Sequence, residues 1–242
     1  MYSKRSFDRT SPVSRNLNNF SKNRLNEIED RTLIRLVNVG VEFGSLKALD
    51  SVSLNIERGD FTFITGPSGA GKTTLLNLIS NDVANTRGSI CRETIKRENL
   101  FVSRVFQNLQ VIEEWTVLQN LEICYSREIF KSKKEFNQEL NDLLNLFEMK
   151  QNLSKKVREL NGGAKQKVAI IRGLLTRPDI FIADEPTSSL DRENAKRLYE
   201  VLKFYNQKMS MTVLWATHQV ELISQFHGKL IHLNKGKLVR SM

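Results

Sequence analysis

Residues 61–76 read Phe61-Thr62-Phe63-Ile64-Thr65-Gly66-Pro67-Ser68-Gly69-Ala70-Gly71-Lys72-Thr73-Thr74-Leu75-Leu76, and no other stretch limits the fold as much. The β-branched and aromatic run at its start predicts a buried strand, and the apolar run from Thr73 to Ile79, free of Gly and Pro, predicts a helix. Between them stands Gly66-x-x-x-x-Gly71-Lys72-Thr73, the phosphate-loop spacing in the strand–loop–helix context it requires. Glycines let the backbone turn so tightly that successive N–H groups point at one anion. The helix that follows adds its positive end to the same spot. Lys72 is expected to reach the β- and γ-phosphates, and the Thr73 hydroxyl to ligate Mg²⁺.

The chain has 242 residues, 40% of them hydrophobic, which suits one large α/β domain or a core with a subdomain. No apolar run approaches the ~18–20 residues of a membrane span, so the chain is not expected to cross a bilayer itself. Cys91 and Cys124 have no metal-like spacing and are expected to be small buried hydrophobes. The net charge of +10 calls for an anionic partner, either nucleic acid or lipid. Much of the excess lies at the ends: residues 1–31 carry seven Lys/Arg against four Asp/Glu, and residues 228–242 carry four Lys/Arg and no acid. Residues 1–31 are Ser-, Asn- and Arg-rich with little apolar periodicity and read as a solvated, disordered tail. Contact with an anionic membrane face or an organellar targeting role are the alternatives.

From Leu33 the pattern becomes β. Val37, Val39, Val41 and Phe43 alternate, as do Val52, Leu54 and Ile56, predicting antiparallel strands beside the nucleotide core. Residues 81–99 are polar and unassigned. A strand over Leu100–Phe106 ends at Gln107. Phe136, Leu140, Leu143, Leu144 and Phe147 then mark one face of a helix, inside a block of about 108–157 that reads as an inserted helical subdomain. Further on come a helix from Gly163 to Thr176, a strand Ile180–Ala183, a helix from Arg192 to Lys208, a strand Thr212–Trp215 and a helix from Gln219 to Phe226. A hairpin-like pair closes the chain. Strands alternating with helices predict a mainly parallel sheet covered on both faces. Ligands of such sheets bind at the carboxyl ends of the strands, where Gly66, Gln107, Asp184 and His218 all fall.

Asp184 ends an apolar strand, where an unpaired carboxylate is costly; a hydrated Mg²⁺ on ATP is its expected partner. Glu185, the next residue, can polarise an attacking water, since such hydrolysis rests on positioning and charge neutralisation. His218 ends another core strand. Asn161-Gly162-Gly163 opens a helix and forms a second glycine-rich nest with no second phosphate in one chain to hold. A head-to-tail homodimer would use both nests, with each ATP between one copy's phosphate loop and the other's Gly162-Gly163 helix.

Over about 33–240 the chain resembles the ATP-binding subunits of ABC transporters. The resemblance is carried by Gly66–Thr73, Val105-Phe106-Gln107, Leu160-Asn161-Gly162-Gly163-Ala164-Lys165-Gln166, Ile180–Asp184 with Glu185, Ser188-Ser189-Leu190-Asp191 and Ala216-Thr217-His218. It implies an ABC-type fold over 32–240, with an antiparallel β subdomain and the inserted helices. It also implies Mg²⁺-dependent ATP hydrolysis, with Glu185, His218 and Gln107 as catalytic residues. Phe43, Gly66, Pro67, Ser68, Gly69, Ala70, Gly71, Lys72, Thr73 and Thr74, with Asn161, Gly162 and Gly163, would hold ATP, Phe43 by stacking on adenine. Thr73, Gln107 and Asp184 would hold the metal.

Gln107 and the helical block would form the groove for an integral membrane partner, at the cytoplasmic face of the cell membrane. Within the superfamily, Trp115–Asn120, Ala183–Thr187 and Thr212–His218 are similar to the FtsE-type cell-division ATPases, which work with an FtsX-type membrane protein. Lipoprotein-release and efflux-type subunits share most of these stretches. Asn161 and Ala164 depart from the family's usual Ser and Glu/Gln, which also suits a slowly hydrolysing, ATP-gated scaffold. The single ATPase unit argues against a nucleic-acid-handling member.

Overall fold

The computed structural model describes residues 31–92, 100–106, 108–188 and 190–241. The expectations for the N-terminal tail, for Gln107 and for Ser189 therefore fall outside the described residues. Nine strands and six α-helices follow in the described chain: β1 (Thr32–Phe43), β2 (Leu46–Glu57), β3 (Phe61–Thr65), α1 (Lys72–Ile79), β4 (Arg87–Arg92), β5 (Val102–Val105), α2 (Val117–Glu122), α3 (Lys133–Leu146), α4 (Gly162–Leu175), β6 (Ile180–Asp184), α5 (Arg192–Met209), β7 (Thr212–Ala216), α6 (Val220–Ile223), β8 (Lys229–Asn234) and β9 (Lys237–Ser241).

Six strands form one sheet in the order β5-β6-β7-β3-β8-β9. Every neighbouring pair is parallel except β8 and β9. Its central strands are buried on both faces, so they read as unbroken apolar runs rather than alternating ones. Phe61, Phe63, Phe181, Ala183, Val213 and Trp215 face one core, which α3, α4 and α5 cover. Ile64, Ile180, Ile182, Leu214 and Ala216 face the other, which α1 and the small sheet cover. The period of two along each strand places successive residues in opposite cores.

The small sheet has the order β2-β1-β4 and is antiparallel, with Leu36 opposite Leu54 and Val39 opposite Val52. Strand β4 was hidden in the polar 81–99 stretch. Its residues are exposed or half-buried, so backbone pairing to the free edge of β1, rather than an apolar face, makes it a strand.

Thr116 and Gln119 form a capping box at the start of α2, and Ser132 caps α3 by accepting from Glu135 N. The stripe Phe136, Leu140, Leu143, Leu144 and Phe147 is buried as expected, each such side chain contributing roughly 1.5–3 kcal/mol. The Arg177 guanidinium closes this region: it bonds Glu139 and Glu135 and donates to Ile129 O at 3.1 Å. It also lies 4.3 Å from the centroid of the Phe130 ring.

Two expectations are corrected. The helix expected over 219–226 is only the turn Val220–Ile223. Phe226 leaves it to stack on Tyr199 at 4.1 Å with an interplanar angle of 6°, and that tertiary contact decides the backbone. Cys91 is exposed on the edge strand β4 rather than buried. Cys124 is half-buried and donates to Arg172 O, and burial pushes its thiol up to about 11.

Candidate functional site

The sheet order β5-β6-β7-β3 sets the carboxyl ends of four parallel strands side by side. Backbone bonds hold those ends together: Thr217 N donates to Ile64 O and Glu185 N to Ala216 O, both at 3.0 Å. Along this edge lie Gly66 after β3, Asp184 at the end of β6, Glu185 beyond it, and His218 two residues after β7.

The loop from Gly66 to Gly71 is packed from behind. A Cβ on Gly66, at φ 150, would lie 2.3 Å from Leu233 O, and one on Gly71, at φ 101, would lie 2.6 Å from Ala48 O. Strands β2 and β8 approach so closely that only glycine fits at either position. The turn between β8 and β9 adds a direct bond, Gly236 N to Ala70 O at 3.0 Å.

Pro67, Ser68 and Gly69 face outward, Ala70 is buried, and Thr73 at the head of α1 is exposed, with Thr74 half-buried behind it. Lys72 is buried and donates from Nζ to Gly66 O at 2.7 Å and to Pro67 O at 3.1 Å. No side chain caps α1 and no acid occupies its first turn. Its backbone donors and the Lys72 ammonium therefore face a place suited to an anion.

Glu185 sits at φ 51, a left-handed conformation uncommon for a residue with a side chain. Its Oε1 lies 3.0 Å from His218 Nδ1. His218 is 62% exposed and Glu185 14%, so the imidazole stands on the solvent side of the carboxylate. Phe43 closes β1, is 51% exposed, and pairs with Leu46 at the start of β2, two residues before the Ala48 that touches Gly71. Half of Phe43 therefore faces solvent rather than the core.

Asn161 is exposed and caps α4, its Oδ1 accepting from Ala164 N at 2.8 Å. Next to this cap, Lys165 Nζ donates to Glu113 at 2.7 Å, while Arg158 N and Val157 N donate to Glu113 O and Trp115 O. These bonds fix the start of α4 to the helical block and not to the phosphate loop of the same chain.

For Mg²⁺ the protein donors are few. Among the described residues no three His, Cys, Asp or Glu side chains gather into a metal-binding group. An ion carried mainly by phosphate oxygens and water needs only one or two protein donors; Asp184 at the end of β6 and the exposed Thr73 at the head of α1 are the groups of suitable chemistry beside the loop. One side chain that bonds this edge is absent from the sequence reading. Arg104, on β5, donates from Nη2 to Asp184 Oδ2 at 2.8 Å, with its side chain 5% exposed and that of Asp184 8%. The available signal was a lone cation inside the apolar run Leu100–Phe106.

Residues 49–188 match the family model described as ABC transporter. The chain is 34% identical over 228 residues to a methionine import ATP-binding protein MetN of Lactobacillus acidophilus, across 86% of this chain and 64% of that protein. It is 32% identical over 215 residues to a spermidine/putrescine import ATP-binding protein PotA of Legionella pneumophila, across 85% of this chain and 58% of that one. It thus spans somewhat under two thirds of the length of these curated relatives.

Among solved structures, a dimeric ATP-binding cassette in a post-hydrolysis state bound to ADP and Pi is similar with a TM-score of 0.74 and 31% identity. That likeness covers 86% of this chain and 97% of that one. With the phosphate loop, the strand-end carboxylates and the matched residues in agreement, the chain belongs to the ABC transporter family and has the fold of its ATP-binding cassettes.

Proposed function

We propose that two copies of this chain close on two ATP molecules, hydrolyse them, and pass the opening and closing to an integral membrane partner. The observation that carries this is the single sheet edge that holds Gly66, Asp184, Glu185 and His218, with Lys72 folded onto the loop that follows Gly66. Phosphates would lie against the Gly66–Gly71 backbone, with Lys72 turning from its loop carbonyls to the charge. Phe43 would stack on the base. Mg²⁺ held through Thr73, Asp184 and, on the family pattern, Gln107 would supply charge neutralisation at the phosphates. Glu185 would orient the attacking water and accept its proton, and His218, hydrogen-bonded to Glu185, would contact the γ-phosphate from the solvent side. The nest at Asn161, Gly162 and Gly163 would reach the ATP held by the other copy, which suits its anchoring away from its own phosphate loop.

For the partner, residues 108–157 with Gln107 are the proposed docking region, with exposed Ile112, Trp115 and Leu118. No helix among the described residues is long and apolar enough to cross a membrane, so peripheral attachment at the inner face is the proposed location. The relatives above are named for methionine and polyamine import, which favours an import permease. The FtsE-type reading, with an FtsX-type partner in cell division, rests only on the stretches quoted from the sequence and gains no support from those names.

The test is Glu185→Gln. Phosphate release is expected to fall roughly 10²–10⁴-fold, the usual contribution of a positioned base, while ATP and Mg²⁺ convert the variant from monomer to dimer on a sizing column. A variant that hydrolyses at the parent rate and stays monomeric refutes the reading. Affinity capture from membranes, with the bound integral protein identified, separates an import permease from an FtsX-type partner.

A further inference from the structure

Arg104 is a buried cation at a site expected to hold a second one. Its guanidinium bonds the Asp184 carboxylate through Nη2, as above. Through Nη1 it bonds Asn77 Oδ1 on α1 and lies 3.5 Å from Asp82 Oδ2. Its plane stands 4.5 Å from the centroid of the Phe106 ring, the residue just before Gln107. The Nε is buried without a partner among the described residues. One side chain thus joins the helix of the phosphate loop, the end of β6 and the end of β5. A planar fork is the group able to hold three such directions at once.

We infer that Arg104 is a resident counter-cation of the magnesium site: it neutralises Asp184, holds its Oδ2, and weakens the demand of the site for Mg²⁺. This role rests on the nucleotide site proposed above and adds to it a positioning residue. A carboxylate buried to this extent needs a positive partner whether or not nucleotide is present. Without metal, Arg104 supplies one, so anionic phosphate can approach Asp184 without meeting an uncompensated charge. With metal, the same carboxylate is shared between Arg104 and Mg²⁺, and each cation lowers the affinity for the other. Removing Arg104 therefore acts twice in the same direction: nucleotide binding without Mg²⁺ worsens, and Mg²⁺ binding tightens.

The readout is the ratio of the Kd of a fluorescent ADP analogue in EDTA to its Kd in saturating Mg²⁺, measured for the parent chain and for Arg104→Met, Arg104→Gln and Arg104→Lys. The ratio is expected to rise at least about tenfold in the two neutral variants, the scale of removing one unit charge beside another inside a protein. Arg104→Lys keeps the charge and is expected to stay near the parent. Damage to the fold alone would weaken both Kd values together and leave the ratio unmoved. Should Arg104→Met prove insoluble, Arg104→Gln, which can still bond Asn77, decides the matter. An unchanged or smaller ratio in a neutral variant, with the parent binding normally, overturns the role of Arg104 and leaves the nucleotide reading intact. A parent chain that binds no ADP in either condition overturns both.

Discussion

Two glycine turns open two helices in this chain, and they are built differently. The turn before α1 is closed from behind by Leu233 O, Ala48 O and the β8–β9 turn, and its own Lys72 is folded onto it. The turn before α4 is open: Asn161 and Gly162 are exposed, the glycines have ordinary helical backbone, and a side chain of the turn caps the helix. The first turn needs glycine because other backbone comes too close. The second needs small residues only if something from outside approaches. On the proposed function, the turn finished inside one chain would hold the phosphates, whereas the one left open beside its own helical block would meet another copy.

That contrast breaks first at Lys72. Lys72→Met is expected to weaken ADP binding by the monomer at least about a hundredfold, since hydrogen bonds to a charged group contribute about 1.5–3 kcal/mol each. Isothermal titration reads the change, and a Kd near the parent value would mean that the closed turn is not the nucleotide site. Asn161→Ala should do the reverse. Monomer binding of ADP is expected to stay within about twofold, because on the proposed function the turn would reach only the other copy's nucleotide, while the ATP-driven dimer of the Glu185→Gln background is lost. Loss of the cap also costs about 0.5–2 kcal/mol of stability, visible in a urea midpoint. If Asn161→Ala weakens ADP binding by the monomer as much as Lys72→Met does, the contrast collapses.

The smallest effect sharpens the comparison from behind α4. Cys124 donates to Arg172 O on that helix, and burial raises its thiol from an ordinary 9.0 to about 11. Only the thiolate is reactive, so at pH 8 about one Cys124 in a thousand is ionised, against roughly a tenth for an ordinary thiol of that value. Iodoacetamide at pH 8 is expected to label exposed Cys91 first and Cys124 only as the pH nears 11, with mass spectrometry of the peptides as the check. The sign for stability follows. Between pH 9 and 11 the unfolded chain releases a proton that the folded chain retains, so Cys124 makes stability fall as pH rises through that window. Equal labelling of the two cysteines at pH 8 would show that α4 does not hold Cys124 as described.

Much of the site could be read from spacing alone. Gly66 to Thr73 announces a phosphate loop because the turn, the anion nest and the helix start each demand a residue type at a fixed offset. Ile180–Asp184 and Thr212–His218 announce strand ends because polar residues follow unbroken apolar runs. Strand β4 could not be read this way: its residues bury little, and only the edge of β1 makes them a strand. The helix expected to reach Phe226 stopped early because Tyr199, more than twenty positions away, takes the ring.

The sequence by itself determined the strand–loop–helix at residues 61–79, the two-faced apolar strands and the type of chemistry at their ends, because those depend on local conformation and on periods of two and 3.6 residues. Only the tertiary structure decided the strand order that places Gly66, Asp184 and His218 on one edge. It alone also decided the close approach of Ala48 and Leu233 that makes Gly71 and Gly66 obligatory, and the placing of Arg104 against Asp184, because each joins residues far apart in the chain and no local pattern encodes which distant segment arrives.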